Sequence, residues 1–540
     1  MITLSNATQR IQTLHDTFWN ARELQAVSID ITIVKSSAGK HEGFTLTASR
    51  TGNTITATVG VERDHAYRYA LNALTAWIET GEATITMNQA PDFPIRGVVE
   101  GFYGKPWSHE QRVRALKYCG DYNMNTYFLA PKDIPWQRFN WRSLFDETFL
   151  THTQELIEVG HKNAIELAVC VSPGLSVKYS DEADVDAVVN RYKQLFDLGA
   201  RHFGLLWDDI AWELQHDEDI KRYVSTAAAH ADFTNRVWSK LVALDPHIVL
   251  TMCPMHYSGR GNEPYLQVLG QELHARVNIM WTGRSIISEY LDISDAVIFE
   301  RTILRPALYW DNFPVNDGGL QKNLYIGPVR GREAGLHKYS SGLVSNPMLQ
   351  FEMSQIPLYT IGDYLWDTTN YNPDLSWENA LKYLVQNEAD RNALRKFLRT
   401  SMGTAVGGDP APDLRQVFRK GVSQWRQGNL QEAGEVFIAA GEDIATNHAY
   451  LLKDGFSKPL MIAEIAQWLE KYLIGGEVLI GLGKVLQQCS FDTNRGCISG
   501  TQAHISALEA LGERLQEHRK NLFGDQIEGP INELIAELRS

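Results

Sequence analysis

HFGLLWDDI, residues 202–210, is an apolar run that stops against two aspartates. Phe203 to Trp207 shows no alternation of polar and apolar residues, so a strand there is buried on both faces, as in a parallel sheet covered by helices. Two adjacent carboxylates with no basic neighbour in sequence repel, and one of them is expected to hold its proton more tightly than usual. Seven other runs share this build: IRGVVEGFYG (95–104), TYFLAPKD (126–133), ELAVCVSPG (166–174), IVLTMCPMHY (248–257), VNIMWTG (277–283), PALYWDN (306–312) and GLVSNP (342–347). Helical connectors such as SHEQRVRALKYCGDY (108–122), EADVDAVVNRYKQLFDLG (182–199) and HADFTNRVWSKLVALD (230–245) lie between them. Eight strand-then-helix units in this order predict an α/β fold, a (β/α)8 barrel, whose usual size is roughly 250 residues.

The flanks read differently. Before the barrel, LTASR and TITATVG surround the turn TGN, a hairpin signal. DHAYRYALNALTAWIETG then shows helical spacing after Asp64, read as an N-cap. After the barrel the pattern is helical throughout. The expected division is a small α/β domain over 1–92, the catalytic barrel over 93–375 and a helical bundle over 376–540. GLGK (481–484) sits in a helical pattern without the rest of a phosphate loop and is not read as one.

Composition weighs against several classes. The net charge of −14, from 51 basic and 65 acidic residues, disfavours nucleic acid and other polyanions as partners. No apolar run reaches the roughly 20 residues of a membrane helix. The N-terminus lacks the basic and apolar segments of a signal peptide, so a cytoplasmic protein is expected. Of the five cysteines, Cys119, Cys170 and Cys253 sit in apolar surroundings, and Cys489 and Cys497 are near enough in sequence to pair. With no CxxC or HExxH, neither a metal nor a cofactor is expected.

In a barrel of this kind the strand C-termini share one face, where the chemistry sits. Those tips carry Glu100 and Gly101, Lys132 and Asp133, Asp208 and Asp209, His256 and Tyr257, Thr282, then Trp310, Asp311, Asn312 and Asp317, and finally Asn346. Singly, each has an ordinary structural reading: an aspartate after a strand caps a helix, a lysine is solvated, a tryptophan fills core. Together at one end of successive strands, acids, amides and an aromatic suit a polyhydroxylated ligand, and sugar hydrolysis needs a carboxyl pair. Adjacent strand residues face opposite sides, so the strand must end or bulge at Trp207–Asp209 for both acids to reach one sugar.

RGVVEGFYGKPW, APKD, LLWDDI, WDNFPVND and SNP…FE resemble the catalytic domain of glycoside hydrolase family 84, over about residues 1–400. The resemblance implies a retaining exo-β-N-acetylglucosaminidase in which the sugar's own 2-acetamido oxygen is the nucleophile and an oxazoline the intermediate. It places Asp208 on the acetamido group and Asp209 as general acid, then base, with repulsion from an ionised Asp208 expected to keep Asp209 protonated. It places Gly101, Lys132, Asp317 and Asn346 on the sugar hydroxyls, Tyr257 and Asn312 on the acetamido group or intermediate, and Trp310 and Thr282 in the pocket wall. His256 stands where animal members of the family carry an acid. The implied substrates are GlcNAc on Ser/Thr of proteins or in small β-glycosides. The alternatives are a hyaluronidase-type hexosaminidase and a non-catalytic GlcNAc-binding protein. Oligomeric state stays open.

Overall fold

The computed structural model describes residues 2–22, 28–36, 42–492, 497–524 and 526–539. The chain divides into two compact units, one of Met1–Phe313, Val329–Pro347 and Leu358–Asn372, the other of Pro314–Pro328, Met348–Pro357 and Pro373–Ser540.

The first unit begins with strands β1 (Ile2–Ser5), β2 (Ser28–Lys35), β3 (Phe44–Thr51), β4 (Thr54–Val61) and β5 (Thr84–Gln89), in the order β1-β2-β4-β3-β5. β3 and β4 are the antiparallel hairpin expected around TGN, with Gly52 left-handed at φ 59°. Helices Gln9–Asn20 and Tyr67–Thr80 bury Phe18, Leu71 and Trp77 in the same core as Ile31, Leu46 and Val59 of the sheet. The expected Asp64 cap is not formed: Asp64 opens a 3-10 turn and accepts from the Thr8 hydroxyl at 2.6 Å, an element 56 residues away that the local sequence cannot show. The sheet is tied to the barrel by the buried Arg96 guanidinium, which reaches Glu42 at 2.6 Å.

The barrel follows as β6 (Ile95–Glu100), β7 (Thr126–Leu129), β8 (Glu166–Val171), β9 (His202–Leu206), β10 (Val249–Cys253), β11 (Asn278–Trp281), β12 (Ala307–Asp311) and β13 (Ser340–Ser345). All pair in parallel with their neighbours, and β13 closes on β6. Seven of the eight strands fall inside their apolar runs, and β13 begins two residues before its own, at Ser340. Their buried side chains, among them Val99, Phe128, Cys170, Leu206, Cys253, Met280, Leu308 and Val344, form one cluster. Side-chain caps start the connecting helices where the sequence changes rhythm: Ser108 for His109–Asp121, Asp181 for Glu182–Asp197 and Ser225 for Thr226–Val242.

The second unit is mainly helical, with Leu430–Leu451 and Ala466–Gln488 its longest helices. GLGK lies inside the latter, and Gly483 is there for contact: a Cβ on it would come 2.5 Å from the Gly434 carbonyl oxygen of the facing helix. Gly434 is equally closed, at 2.7 Å from the Gly483 carbonyl. Gly483→Leu is expected to force these helices apart and cost about 3 kcal/mol or more, seen as a lower urea midpoint for the helical unit. An unchanged midpoint would refute the close crossing. No described helix is long and apolar enough to cross a membrane. Cys119, Cys170, Cys253 and Cys489 are free thiols; the expected Cys489–Cys497 question falls on a side chain outside the described residues.

Candidate active site

β9 ends at Leu206, and the Trp207 amide makes one more ladder bond, to the Cys253 carbonyl at 2.9 Å. Asp209 then turns left-handed, at φ 54°. A non-glycine residue held there costs on the order of 1–2 kcal/mol, and the surroundings must impose it. The turn breaks the pleat that would have sent two neighbouring side chains to opposite faces.

Asp208 is buried, and its Oδ2 accepts from Lys132 Nζ, a residue equally buried at the tip of β7. Its other oxygen, Oδ1, is buried without a hydrogen-bond partner among the described residues. Such an atom costs stability unless a donor arrives. Asp209 is more open. Its Oδ2 accepts from the Tyr103 hydroxyl at 2.7 Å and its Oδ1 from the Tyr257 hydroxyl at 2.8 Å. Arg138 donates to both the Asp209 carbonyl (2.9 Å) and the Tyr103 oxygen (2.7 Å).

These contacts overturn one expectation from the sequence. Burial pushes the Asp209 carboxyl up, but the Tyr103 hydroxyl, the Lys132 charge, the Tyr257 hydroxyl and Arg138 together hold it below the usual carboxylate range. Repulsion from Asp208 does not dominate, because Lys132 sits directly on that carboxylate. In the unliganded protein Asp209 is therefore ionised near neutral pH. Burial, reinforced by the Asp209 and Asp208 carboxylates, pushes the Tyr103 and Tyr257 phenols up, so both remain donors.

A second group adjoins the pair through Lys132, whose Nζ lies 5.4 Å from the Trp310 ring. Trp310 Nε1 donates to Asn312 Oδ1 at 2.9 Å, and Asn346 Nδ2 donates to the same oxygen at 2.9 Å. Asn346 Oδ1 in turn accepts from the Gly101 amide at 3.2 Å. Gly101 must be glycine, since a Cβ would collide with the Trp310 indole. Asn312 also donates to the Ile286 carbonyl at 2.8 Å, so each of the two amides keeps one N–H to offer a ligand.

The remaining expected residues divide. Thr282 turns its hydroxyl to the Ser285 carbonyl at 2.7 Å, and its amide donates to the Tyr257 carbonyl at 2.7 Å, bracing the loop that holds Tyr257. Asp317 belongs to the second compact unit, where it precedes the turn Gly318–Leu320. Glu100, though at a strand tip, is fully buried and engaged by Arg112, Tyr127 and the Trp107 amide. Asp311 is held by Arg332 in a buried pair at 2.6 Å. Tyr103 and Arg138 were not singled out from the sequence; GFYG and PWQRF carry no periodicity, and only their place after β6 and β7 could have flagged them. Among the described residues no group of three or more His, Cys, Asp or Glu is placed to hold a metal ion.

A family model described as β-N-acetylglucosaminidase matches residues 96–399. The protein O-GlcNAcases of Rattus norvegicus and Mus musculus are each 31% identical over 283 residues, 51% of this chain and 30% of theirs. The chain thus spans about three tenths of the length of these curated relatives. Among solved structures, a mutant of the Thermobaculum terrenum O-GlcNAc hydrolase superposes with a TM-score of 0.75 at 29% identity, covering 82% of this chain and 95% of that one. CpGH84B shares the fold at a TM-score of 0.80 and 22% identity, over 99% and 96% of the two chains.

Proposed function

Because the chain belongs to glycoside hydrolase family 84, we propose that it is a retaining exo-β-N-acetylglucosaminidase able to release GlcNAc from Ser/Thr of proteins and from small β-glycosides, through an oxazoline formed by the substrate's own acetamido group. The observation that carries the mechanism is the asymmetry of the two aspartates. Asp208 Oδ1, buried and unpartnered, is suited to accept the acetamido N–H. That contact turns the acetamido oxygen toward the anomeric carbon, and the carboxylate, held in place by Lys132, balances the positive charge of the ring as it closes. Asp209 is open enough to meet the glycosidic oxygen. It gives that oxygen a proton and then takes one from the water that opens the oxazoline. Gly101, Lys132 and Asn346 are proposed to hold the sugar hydroxyls, with Trp310 as the wall, Thr282 bracing the pocket and Tyr257 and Asn312 toward the acetamido side; Asp317 is retained as a proposed hydroxyl contact.

The depressed pKa of Asp209 has a kinetic consequence. The phenols must yield as the leaving oxygen arrives, and exclusion of water by the sugar then raises the carboxyl. For poor leaving groups the fall of kcat/KM with rising pH, which reports the free protein, should begin at a lower pH than the fall of kcat. Removing a donor in Tyr103→Phe or Tyr257→Phe should raise the free-protein value and move the kcat/KM limb to higher pH. Coincident limbs, unmoved by either substitution, would refute this.

Parallel assays on a chromogenic β-GlcNAc, a GlcNAc-modified protein and hyaluronan test the proposal as a whole. Turnover of the first two and not of hyaluronan is expected. Absence of turnover on all three would leave the non-catalytic binding protein instead.

A further inference from the structure

The second compact unit holds a cavity of about 620 Å³, a size suited to a small organic molecule. Its wall comes from the segments around Leu324, Ser401, Lys471 and Leu522, all within that unit, whereas Asp208 and Asp209 belong to the first. Lys471 stands in this wall although it is only 4% exposed, and a buried lysine is rare unless it has partners. Its ammonium donates to the Leu515 carbonyl, in the last turn of helix Gln502–Glu517. That bond alone would be an ordinary cap for the end of a helix. An ammonium has three N–H donors, however, and two are left over. Burial lowers the Lys471 pKa, and the charge of Glu528, on the same wall, opposes the fall. An anion arriving in the cavity would favour the ammonium further.

The rest of the wall is acceptor-rich. The hydroxyls of Thr400, Ser401 and Thr404 donate to the carbonyls of Phe397 (2.6 Å), Leu324 (2.8 Å) and Gly407 (3.0 Å). Having given up their protons, they offer a ligand only lone pairs. Leu324, Leu522 and Phe523 supply apolar surface beside them. A fitting ligand therefore brings an anion to Lys471, N–H donors to the hydroxyl oxygens and Glu528, and an apolar body. We propose that this cavity binds a free α-amino acid with an apolar side chain, its carboxylate on Lys471 and its ammonium toward Glu528 and the hydroxyl oxygens. A neutral sugar would bring no charge to Lys471, and a dicarboxylate would set its second charge against Glu528. The zwitterion matches both.

Calorimetric titration of the full chain with four probes tests this: L-leucine, 3-methylbutylamine without the carboxylate, 4-methylpentanoate without the ammonium, and glycine without the side chain. L-leucine should bind, and each of the other three should bind at least about tenfold more weakly, because each leaves a charged or an apolar part of the wall unmatched. Lys471→Met should abolish leucine binding, with circular dichroism reporting whether the helices stay folded. Since that substitution also removes the bond to Leu515, Ala405→Trp provides a second variant. Ala405 lines the cavity from the half-buried turn at Thr404–Gly407, so an indole there fills the space and leaves Lys471 in place. It too should abolish binding, and it decides the matter if Lys471→Met does not fold. No heat from any probe overturns the proposal. So does 3-methylbutylamine or 4-methylpentanoate binding as tightly as leucine, or leucine binding that survives Ala405→Trp.

Discussion

Asp209→Asn is expected to slow cleavage of β-GlcNAc from a weakly acidic alcohol by roughly 10³-fold, while the same step for an acidic phenol is largely spared. Asparagine tolerates the left-handed backbone found at this position, so the turn survives and the change reports on the proton alone. The phenol departs without a proton, and only the later attack of water lacks its base, so the intermediate should accumulate. Asp208→Asn should behave otherwise. It removes the charge opposite the forming oxazoline, and a loss of about 10²–10³-fold is expected for good and poor leaving groups alike. It also leaves the buried Lys132 ammonium without its anionic partner, which can cost about 3–5 kcal/mol of stability, so thermal unfolding must accompany the kinetics. Cleavage-step rates over phenols of graded acidity separate the roles. A steep leaving-group dependence in Asp208→Asn and a flat one in Asp209→Asn would reverse the assignment. Near-wild-type rates in both would remove the pair from the chemistry.

Much of the barrel was legible because each strand is buried on both faces, and an unbroken apolar run ending in polar residues is a strong local signal. The need for a break near Asp209 was legible as well, from the period of the pleat alone. What the sequence concealed depends on partners distant along the chain. Asp208 and Lys132 are 76 residues apart, and without that pair the neighbouring acids read as a repelling pair. Tyr103 and Tyr257 lie 106 and 48 residues from Asp209, so its depressed pKa has no local trace. Glu100 misled in the opposite way: a carboxylate at a strand tip resembles a ligand contact, yet Arg112 and Tyr127 consume it. Position at a strand end selects candidates; only the hydrogen bonds separate those open to a ligand from those already engaged. Gly483 and Gly101 make the same point about packing, since each is glycine because of a surface far away in sequence.

Replacing the 2-acetamido group by hydroxyl should abolish practical turnover, with a β-glucoside cleaved at least about 10⁴-fold more slowly than the matching β-GlcNAc compound. The reason lies in how the two carboxylates are committed. Asp208 Oδ2 is bound to Lys132, and Asp209 accepts from two phenols. Asp208 Oδ1 remains, a single buried acceptor suited to an N–H donor. A nucleophile delivered by the substrate arrives already positioned, and a well-oriented intramolecular group is worth effective molarities of about 10⁵ M or more. Without the acetamido group that advantage is lost and no N–H reaches Asp208 Oδ1. A GlcNAc-derived thiazoline, which resembles the closed ring, should bind at least about 10²-fold more tightly than GlcNAc. That advantage should shrink in Asp208→Asn, because the ring nitrogen loses its anionic partner, and should persist in Asp209→Asn, whose contact is with the departing oxygen. Comparable turnover of glucoside and GlcNAc substrates would mean that an enzyme carboxylate attacks the anomeric carbon directly, and Asp208 would then be the nucleophile rather than the residue that aims one.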